Sequence, residues 1–217
     1  MSKQALERII ILGAGGHARV LLDILKINSI SVLGYVDREP HDHFQLQYLG
    51  DDEEIIKKYH PKKIKLVNGI GSVQRPENRR AVYERFKNSG YRFFSVVHPQ
   101  AVIAGDVRRA EGIQILAGCV VNPGAVIEDN VILNTSSSVD HDCHIGAHTH
   151  IAPGVTISGG VKIGRGCHIG CGAIVIQGVE IGEGVLVGAG TLVLKNVQSG
   201  STVLGIPGKI YDPKFIR

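Results

Sequence analysis

The sequence predicts a two-part fold: a small Rossmann-like α/β domain over residues 1–98, then a parallel β-helix built from hexapeptide repeats over residues 99–217. Two patterns carry this. From Ala101 the chain divides without slippage into sixteen hexads, AVIAGD through TLVLKN, whose third positions are aliphatic from Ile103 to Val193 except at Arg109. A period of six is neither helical nor a two-residue alternation, and it fits a short strand that turns a corner every six residues around one interior aliphatic. Before His98-Pro99 the pattern differs, because apolar strand-like runs alternate with helical stretches, the signature of a parallel sheet covered by helices.

Taken in order, Ile9-Ile10-Ile11-Leu12 reads as a buried strand, Gly13 to Ala18 as a glycine turn, and Arg19 to Lys26 as a helix. A strand is expected at Ser31 to Val36, a helix at Asp51 to Tyr59, a strand at Ile64 to Gly69, a helix at Pro76 to Lys87 and a strand at Arg92 to Val97. In the hexads the first position is small, thiol-bearing or aliphatic. The fourth is often glycine, as at Gly146, Gly164, Gly170, Gly182 and Gly188, where the backbone is expected to bend. Three sides close one triangular coil, so sixteen hexads give roughly five coils. The 28 glycines and the lack of tryptophan agree with a chain largely packed without big side chains.

Composition excludes several function classes. With 43% hydrophobic residues and 20% charged the chain is an ordinary globular protein, and no apolar run approaches the ~20 residues of a membrane span. The stretch Met1 to Arg8 is mixed in charge and only a short apolar run follows, so no signal peptide is expected and the cytoplasm is the predicted location. A net charge of +4 without a long basic run argues against nucleic acid as a partner. The four cysteines lack paired CxxC spacing and read as small buried thiols.

Two constellations carry chemistry. The glycine turn, with Gly15, Gly16 and His17 at the start of a helix, offers backbone N–H groups to an anion, and Asp37 closes the next strand where a ribose-binding acid would stand. About ninety residues without a catalytic partner domain suit nucleotide or nucleotide-sugar binding better than a dehydrogenase. In the solenoid, five of the ten histidines fall at His141, His144, His148, His150 and His168. His141 occupies the fifth position of its hexad, away from the inward Val139, between Asp140 and Asp142, an arrangement suited to a general base. Gly159 lies eighteen residues on, one coil above His141, where its N–H can face a developing oxyanion. His150, half a coil beyond His141, reads as a ligand contact rather than a second base.

The GAGGHA turn, the stretch NTSSSVDHDCHIG followed by HIAPG, the unbroken hexads and the ending Gly205-Ile206-Pro207-Gly208-Lys209 resemble the sugar acetyltransferases that modify nucleotide-linked amino sugars. The related sialic acid O-acetyltransferase group shares the layout. The resemblance spans about residues 8 to 210. It implies a left-handed β-helix, a homotrimer with active sites between subunits, and acetyl-CoA as cosubstrate. It also implies His141 as the base, with Asp142 as the acid that raises its basicity. Relatives have the longer Glu there, which leaves Asp140 as an alternative orienting group. It further implies acetyl-CoA contacts at His150, Cys171 and Ala189, a nucleotide-sugar site at Gly15, Gly16, His17, Asp37, Arg38 and Gly71, and Asn134 near the acceptor sugar. The Pro-Gly-Lys ending departs from a commoner Pro-Ala-Lys. The expected activity is N-acetylation of a UDP- or GDP-linked 4-amino-deoxy sugar in surface polysaccharide or glycoprotein glycan synthesis. Open alternatives are O-acetylation of a sugar hydroxyl, a metal-dependent β-helix hydratase, and a non-catalytic nucleotide-sugar-binding scaffold.

Overall fold

A computed structural model describes residues 8–72 and 76–211. Residues 1–7, most of the stretch behind the cytoplasmic expectation, lie outside the described residues. Strands β1 (Ile9–Leu12), β2 (Val32–Val36), β3 (Lys65–Asn68) and β4 (Arg92–Phe93) form a parallel sheet in the order β2-β1-β3-β4. All four residues of β1 are buried, as a central strand covered on both faces requires. Helix α1 (Gly16–Ile27) sets Leu21, Ile24 and Leu25 against one face. Helices α2 (Asp52–Lys58) and α3 (Glu77–Asn88) set Ile55, Tyr83 and Phe86 against the other. The Asp51 carboxylate caps α2 by accepting from the Glu54 N–H. Since β1 has β2 on one side and β3 on the other, successive connections diverge between β1 and β3, and the crevice at their C-terminal ends is where ligands of such sheets bind.

The strand expected at Arg92 to Val97 is two strands. The Phe94 N–H makes the last main-chain bond to the α/β sheet, at Leu66, and the Val96 N–H makes the first main-chain bond to the solenoid, at Ile113. Accordingly β5 (Val96–Val97) pairs with the strand Gln114–Ile115 and opens the solenoid. Strands β6 to β21 then occupy the second and third positions of the sixteen hexads, from Val102–Ile103 to Leu192–Val193. Two closing strands follow, β22 (Thr202–Leu204) and the antiparallel β23 (Lys209–Tyr211). The strands stack as three flat sheets of five, eight and six members. The solenoid is a left-handed parallel β-helix of about 6 turns rather than five, because β5 and β22 extend the eight-stranded face beyond the hexads.

Inside, the third-position residues form one apolar column per side, with Ile115, Leu133, Ile151, Ile169 and Val187 fully buried. Arg109, the one polar third position, is exposed. The glycines at the fourth position are not the bends. A Cβ on Gly146 would lie 2.6 Å from the Gly164 carbonyl carbon, so these glycines are required by the approach of successive coils. The bend is at the sixth position, where φ is between +63° and +75° at every glycine from Gly112 to Gly190. Four consecutive sixth positions are not glycine: Asn130, Ser136, Asp142 and His148 hold the same left-handed turn, at φ +57°, +56°, +55° and +64°.

The α/β unit is seated on the eight-stranded face, where Val96 and Leu116 join the core beneath α1. A polar clasp crosses this junction. Arg79 of α3 donates to the carbonyls of Asn68 at 2.8 Å and Ile70 at 2.7 Å. Asn68 donates to the Asn130 side chain, which in turn donates to His148 Nδ1 at 3.0 Å.

Candidate active site

At this junction lies a cavity of about 1140 Å³ that gathers Gly15, Gly16, His17, Asp37, Arg38, Gly71, Asn134 and His150. Every residue singled out in the sequence for nucleotide-sugar binding is therefore in one place, at the C-terminal ends of β1 and β3. The turn before α1 is set by Gly13, which adopts φ +90° and donates to the Val36 carbonyl at 2.6 Å. Gly15 is the N-cap and supplies no side-chain cap. The N–H groups of Gly15, Gly16 and His17 have no protein acceptor among the described residues, and the space over Gly15 and Gly16 is open. Free N–H groups at the positive end of a 12-residue helix form a cradle for an anion. Asp37 braces the turn: its Oδ2 accepts from the Ala14 N–H at 3.0 Å and its Oδ1 from the Arg38 N–H at 2.7 Å. His41 sits 3.2 Å from the same carboxylate.

His150 forms the floor of this cavity on the strand His150–Ile151. Asn134 Nδ2 donates to its Nε2 at 3.0 Å, so Nδ1 carries the hydrogen and donates to Ser72, at 2.8 Å to Oγ and 3.1 Å to the carbonyl. Burial pushes its pKa down to about 3, helped by His168 stacked edge-on at 5.0 Å and by His17, which keeps the ring neutral. His150 thus shares this cavity with Asn134, whereas Cys171 and Ala189 stand higher on the same solenoid edge as Thr135. That edge is tied coil to coil by Gly154 N–H to Thr135, Gly172 N–H to Pro153 and Gly190 N–H to Cys171, at 2.8–3.0 Å. Cys119, Cys143 and Cys167 are buried as expected of small thiols. Cys171 is not, because its fifth-position corner points outward to solvent.

His141 is on a different edge of the triangular prism, one side away across the strand Ser138–Val139. Its Nδ1 lies 2.9 Å from Asp142 Oδ2, with the side chains 61% and 75% exposed. Asp140 is committed elsewhere, its Oδ1 accepting from the Asn122 side chain at 2.8 Å and from the His141 N–H at 2.7 Å. Asp142 is therefore the acid that orients the imidazole. The hydrogen bond to Asp142, with the charge of Asp140 second, raises the His141 pKa above its ordinary value. Gly159 lies directly over the ring: a Cβ there would be 2.5 Å from His141 Nε2. The Gly159 N–H has no protein acceptor among the described residues. The arrangement places an oriented base nitrogen beside a free backbone donor, the two elements needed to take a proton and to stabilise an oxyanion.

The other histidines of the cluster have separate partners. His144 meets Glu128 at 2.7 Å, His148 sits in the interdomain clasp, and His168 stacks on His150. Three residues of the pocket wall and its support were not foreseen. Ser72 lies in the loop after β3, which the switch-point rule alone would have pointed to. Gln114 was visible as a polar residue at an outward second position, and it bonds to both His17 and Asn68. Arg79 carries no linear signal, since its partners are the carbonyls of Asn68 and Ile70, which only the folded sheet brings to α3.

Residues 8–86 match the PglD N-terminal domain family, and residues 124–159 and 160–195 match the bacterial transferase hexapeptide (six repeats) family. The chain superposes on the acetyltransferase domain of PglB from Neisseria gonorrhoeae FA1090 with a TM-score of 0.87 at 29% identity, covering 94% of this chain and 100% of that one. A further structure of that domain, at 28% identity, holds acetyl coenzyme A. PerB from Caulobacter crescentus, in complex with CoA and GDP-perosamine, superposes with a TM-score of 0.88 at 32% identity over 96% of this chain and 99% of that one. Among curated relatives, the UDP-3-O-acylglucosamine N-acyltransferase of Herminiimonas arsenicoxydans is 34% identical over 95 residues, 42% of this chain but only 26% of the relative, so the match spans about a quarter of that protein. The cavity at the switch point, the oriented histidine on the solenoid and these likenesses over nearly the whole chain converge, and the chain belongs to the hexapeptide-repeat sugar N-acetyltransferases that carry a PglD-type N-terminal domain.

Proposed function

We propose that the protein transfers the acetyl group of acetyl-CoA to the amino group of a UDP- or GDP-linked 4-amino-deoxy sugar. The observation that carries this reading is one chain holding both an anion cradle with a sugar-sized cavity and a carboxylate-oriented histidine under a free glycine N–H. His141 Nε2 takes the proton as the neutral amine attacks the thioester carbonyl, and Asp142 stabilises the imidazolium that forms. The Gly159 N–H meets the charge developing on the carbonyl oxygen. Collapse of the tetrahedral species breaks the C–S bond, and His141 returns its proton to the departing CoA thiolate. No covalent acyl-enzyme is involved. Asn134 lies on the acceptor side, and Cys171 and Ala189, with His150 at the foot of their edge, line the path of the CoA arm.

His141 and the nucleotide pocket stand on different edges of the prism, which supports a site shared between copies. The six-stranded face carries outward Val102, Val120, Ile174 and Leu192, all at least partly exposed, with Ile176 and Leu194 beside them. We assign this apolar face to a homotrimer in which the His141 edge of one chain meets the pocket edge of the next. Cytoplasmic assembly of surface polysaccharide or glycoprotein glycans is the setting such a substrate implies. Among the described residues no helix is long and apolar enough to cross a membrane. The test is thiol release from acetyl-CoA with UDP- and GDP-linked sugars bearing either an amine or a hydroxyl at C4. Release that needs the amine and falls by roughly 10²–10⁴ in His141→Ala supports the reading. Release with hydroxyl sugars only, or none with any acceptor, overturns it.

A further inference from the structure

His17 stands at the second position of α1, in a turn whose free N–H groups suit a phosphate, and an imidazole there invites a role as a phosphate-binding cation. Its partners say otherwise. The Gln114 amide is fixed in orientation, because its Nε2 lies 2.7 Å from the Asn68 carbonyl, which can only accept. Its Oε1 is therefore the end that meets His17 Nε2 at 2.6 Å, and that ring nitrogen must carry the hydrogen. Arg79, 1% exposed, donates to the same Asn68 carbonyl and to Ile70 behind the pocket loop, and has no carboxylate partner among the described residues. Burial first, and this unneutralised cation second, bring the His17 pKa down to about 4. His150, the other titratable ring coupled to it, is itself held neutral. A neutral ring with its hydrogen on Nε2 leaves a lone pair on Nδ1. No protein donor among the described residues fills that lone pair, and His17 is a wall of the cavity.

Resting on the reading of this cavity as a nucleotide-sugar site, we infer that His17 Nδ1 is an acceptor for a ligand hydroxyl, with Gln114 as the positioning residue that fixes its tautomer. Phosphate oxygens are then left to the N–H groups of Gly15 and Gly16. Gln114 belongs to the solenoid and His17 to α1, so the docking of the two domains sets the hydrogen-bonding character of that ring.

The experiment is long-range proton–nitrogen NMR of the histidine rings in the intact protein. Expected for free His17 is the Nε2–H tautomer at pH 7 with a titration midpoint well below 6.5. Addition of UDP or GDP, of the matching nucleotide hexoses, and of inorganic pyrophosphate then sorts the ligand groups. A shift of the Nδ1 resonance with UDP or GDP alone assigns a ribose hydroxyl. A shift that needs the hexose assigns a sugar hydroxyl. An Nδ1–H tautomer, an ordinary midpoint, no Nδ1 shift with any nucleotide, or the same shift with pyrophosphate alone overturns the inference. Gln114→Leu should mix the tautomers and raise KM for the nucleotide sugar about tenfold while leaving KM for acetyl-CoA unchanged. Tautomer and nucleotide binding are read without acetyl-CoA, so failure of the transfer assay and failure of this inference are separate results.

Discussion

Gly159→Ala is a sharp perturbation of the His141 site because it adds one methyl group and nothing else. The glycine φ lies outside the left-handed range, so the backbone accepts alanine without strain. The new Cβ would sit 2.5 Å from His141 Nε2, 2.7 Å from Cε1 and 3.1 Å from Cδ2, where ordinary contact begins near 3.4 Å. The exposed imidazole must therefore retreat by about 1 Å, and its 2.9 Å bond to Asp142 constrains the direction. Misplacement of a reacting group by about 1 Å costs on the order of 10²-fold in rate. The Gly159 N–H remains in the variant, so the loss measures geometry rather than a missing donor. The assay is thiol release at saturating acetyl-CoA and nucleotide amino sugar, with thermal unfolding as a control that should move by less than 2 °C. A variant with kcat within threefold of the parent would refute the placement of chemistry at His141 Nε2.

Four further outcomes follow from the same geometry. Asp142→Asn removes the main cause of the raised His141 pKa, so the acid limb of kcat/KM should move to lower pH while the plateau falls by about 10–10²; Asp140→Asn should do less of both. Acid should loosen the domain junction. His17 and His148 are pushed to about 4 and His150 to about 3 by burial, so the native state refuses protons that the unfolded chain accepts. Their contribution is complete above pH 6.5 and declines from there toward pH 3–4, by up to about 1.4 kcal/mol per pH unit for each ring, and denaturant melts at pH 7 and 4.5 should show it. Arg79→Ala strips donors from one buried and one part-buried carbonyl and should cost about 3 kcal/mol in urea unfolding. Charging the apolar face in Val120→Asp/Ile174→Asp should yield a monomer by sedimentation, with less than a hundredth of parental activity.

Most of the fold was legible because its rules are short in sequence. The hexad frame is local, and each third-position aliphatic was assigned to the interior on period alone; the exception at Arg109 was equally readable and is exposed. The glycine turn and the Asp37 position likewise depend on neighbours in the chain, and the cavity gathers them. Stacking of Gly159 over His141 followed from counting eighteen residues. What was misread or hidden has a common cause. Fourth-position glycines look like bends in one dimension, but they serve contact between coils eighteen residues apart. The surroundings of His150 were not legible, because they are decided by Ser72, 78 residues distant and in the other domain. Gln114 acquires its role only when two separately patterned domains meet, since its partners Asn68 and His17 belong to the other one.

The run of Asn130, Ser136, Asp142 and His148 at left-handed corners has a consequence for evolution and engineering. A non-glycine residue in that conformation gives up about 1 kcal/mol, and the solenoid uses glycine at the equivalent sixth position of every hexad that flanks these four. These are also the coils that orient His141 and clasp the α/β unit. Selection for heat resistance alone should drift toward glycine at Ser136 and Asp142, where little else is lost, and would erase the orienting carboxylate while improving the scaffold. A library sorted once for survival and once for turnover should therefore disagree most at these few corners, and the disagreement would trace on the surface of the prism where working geometry is maintained against the preference of the backbone.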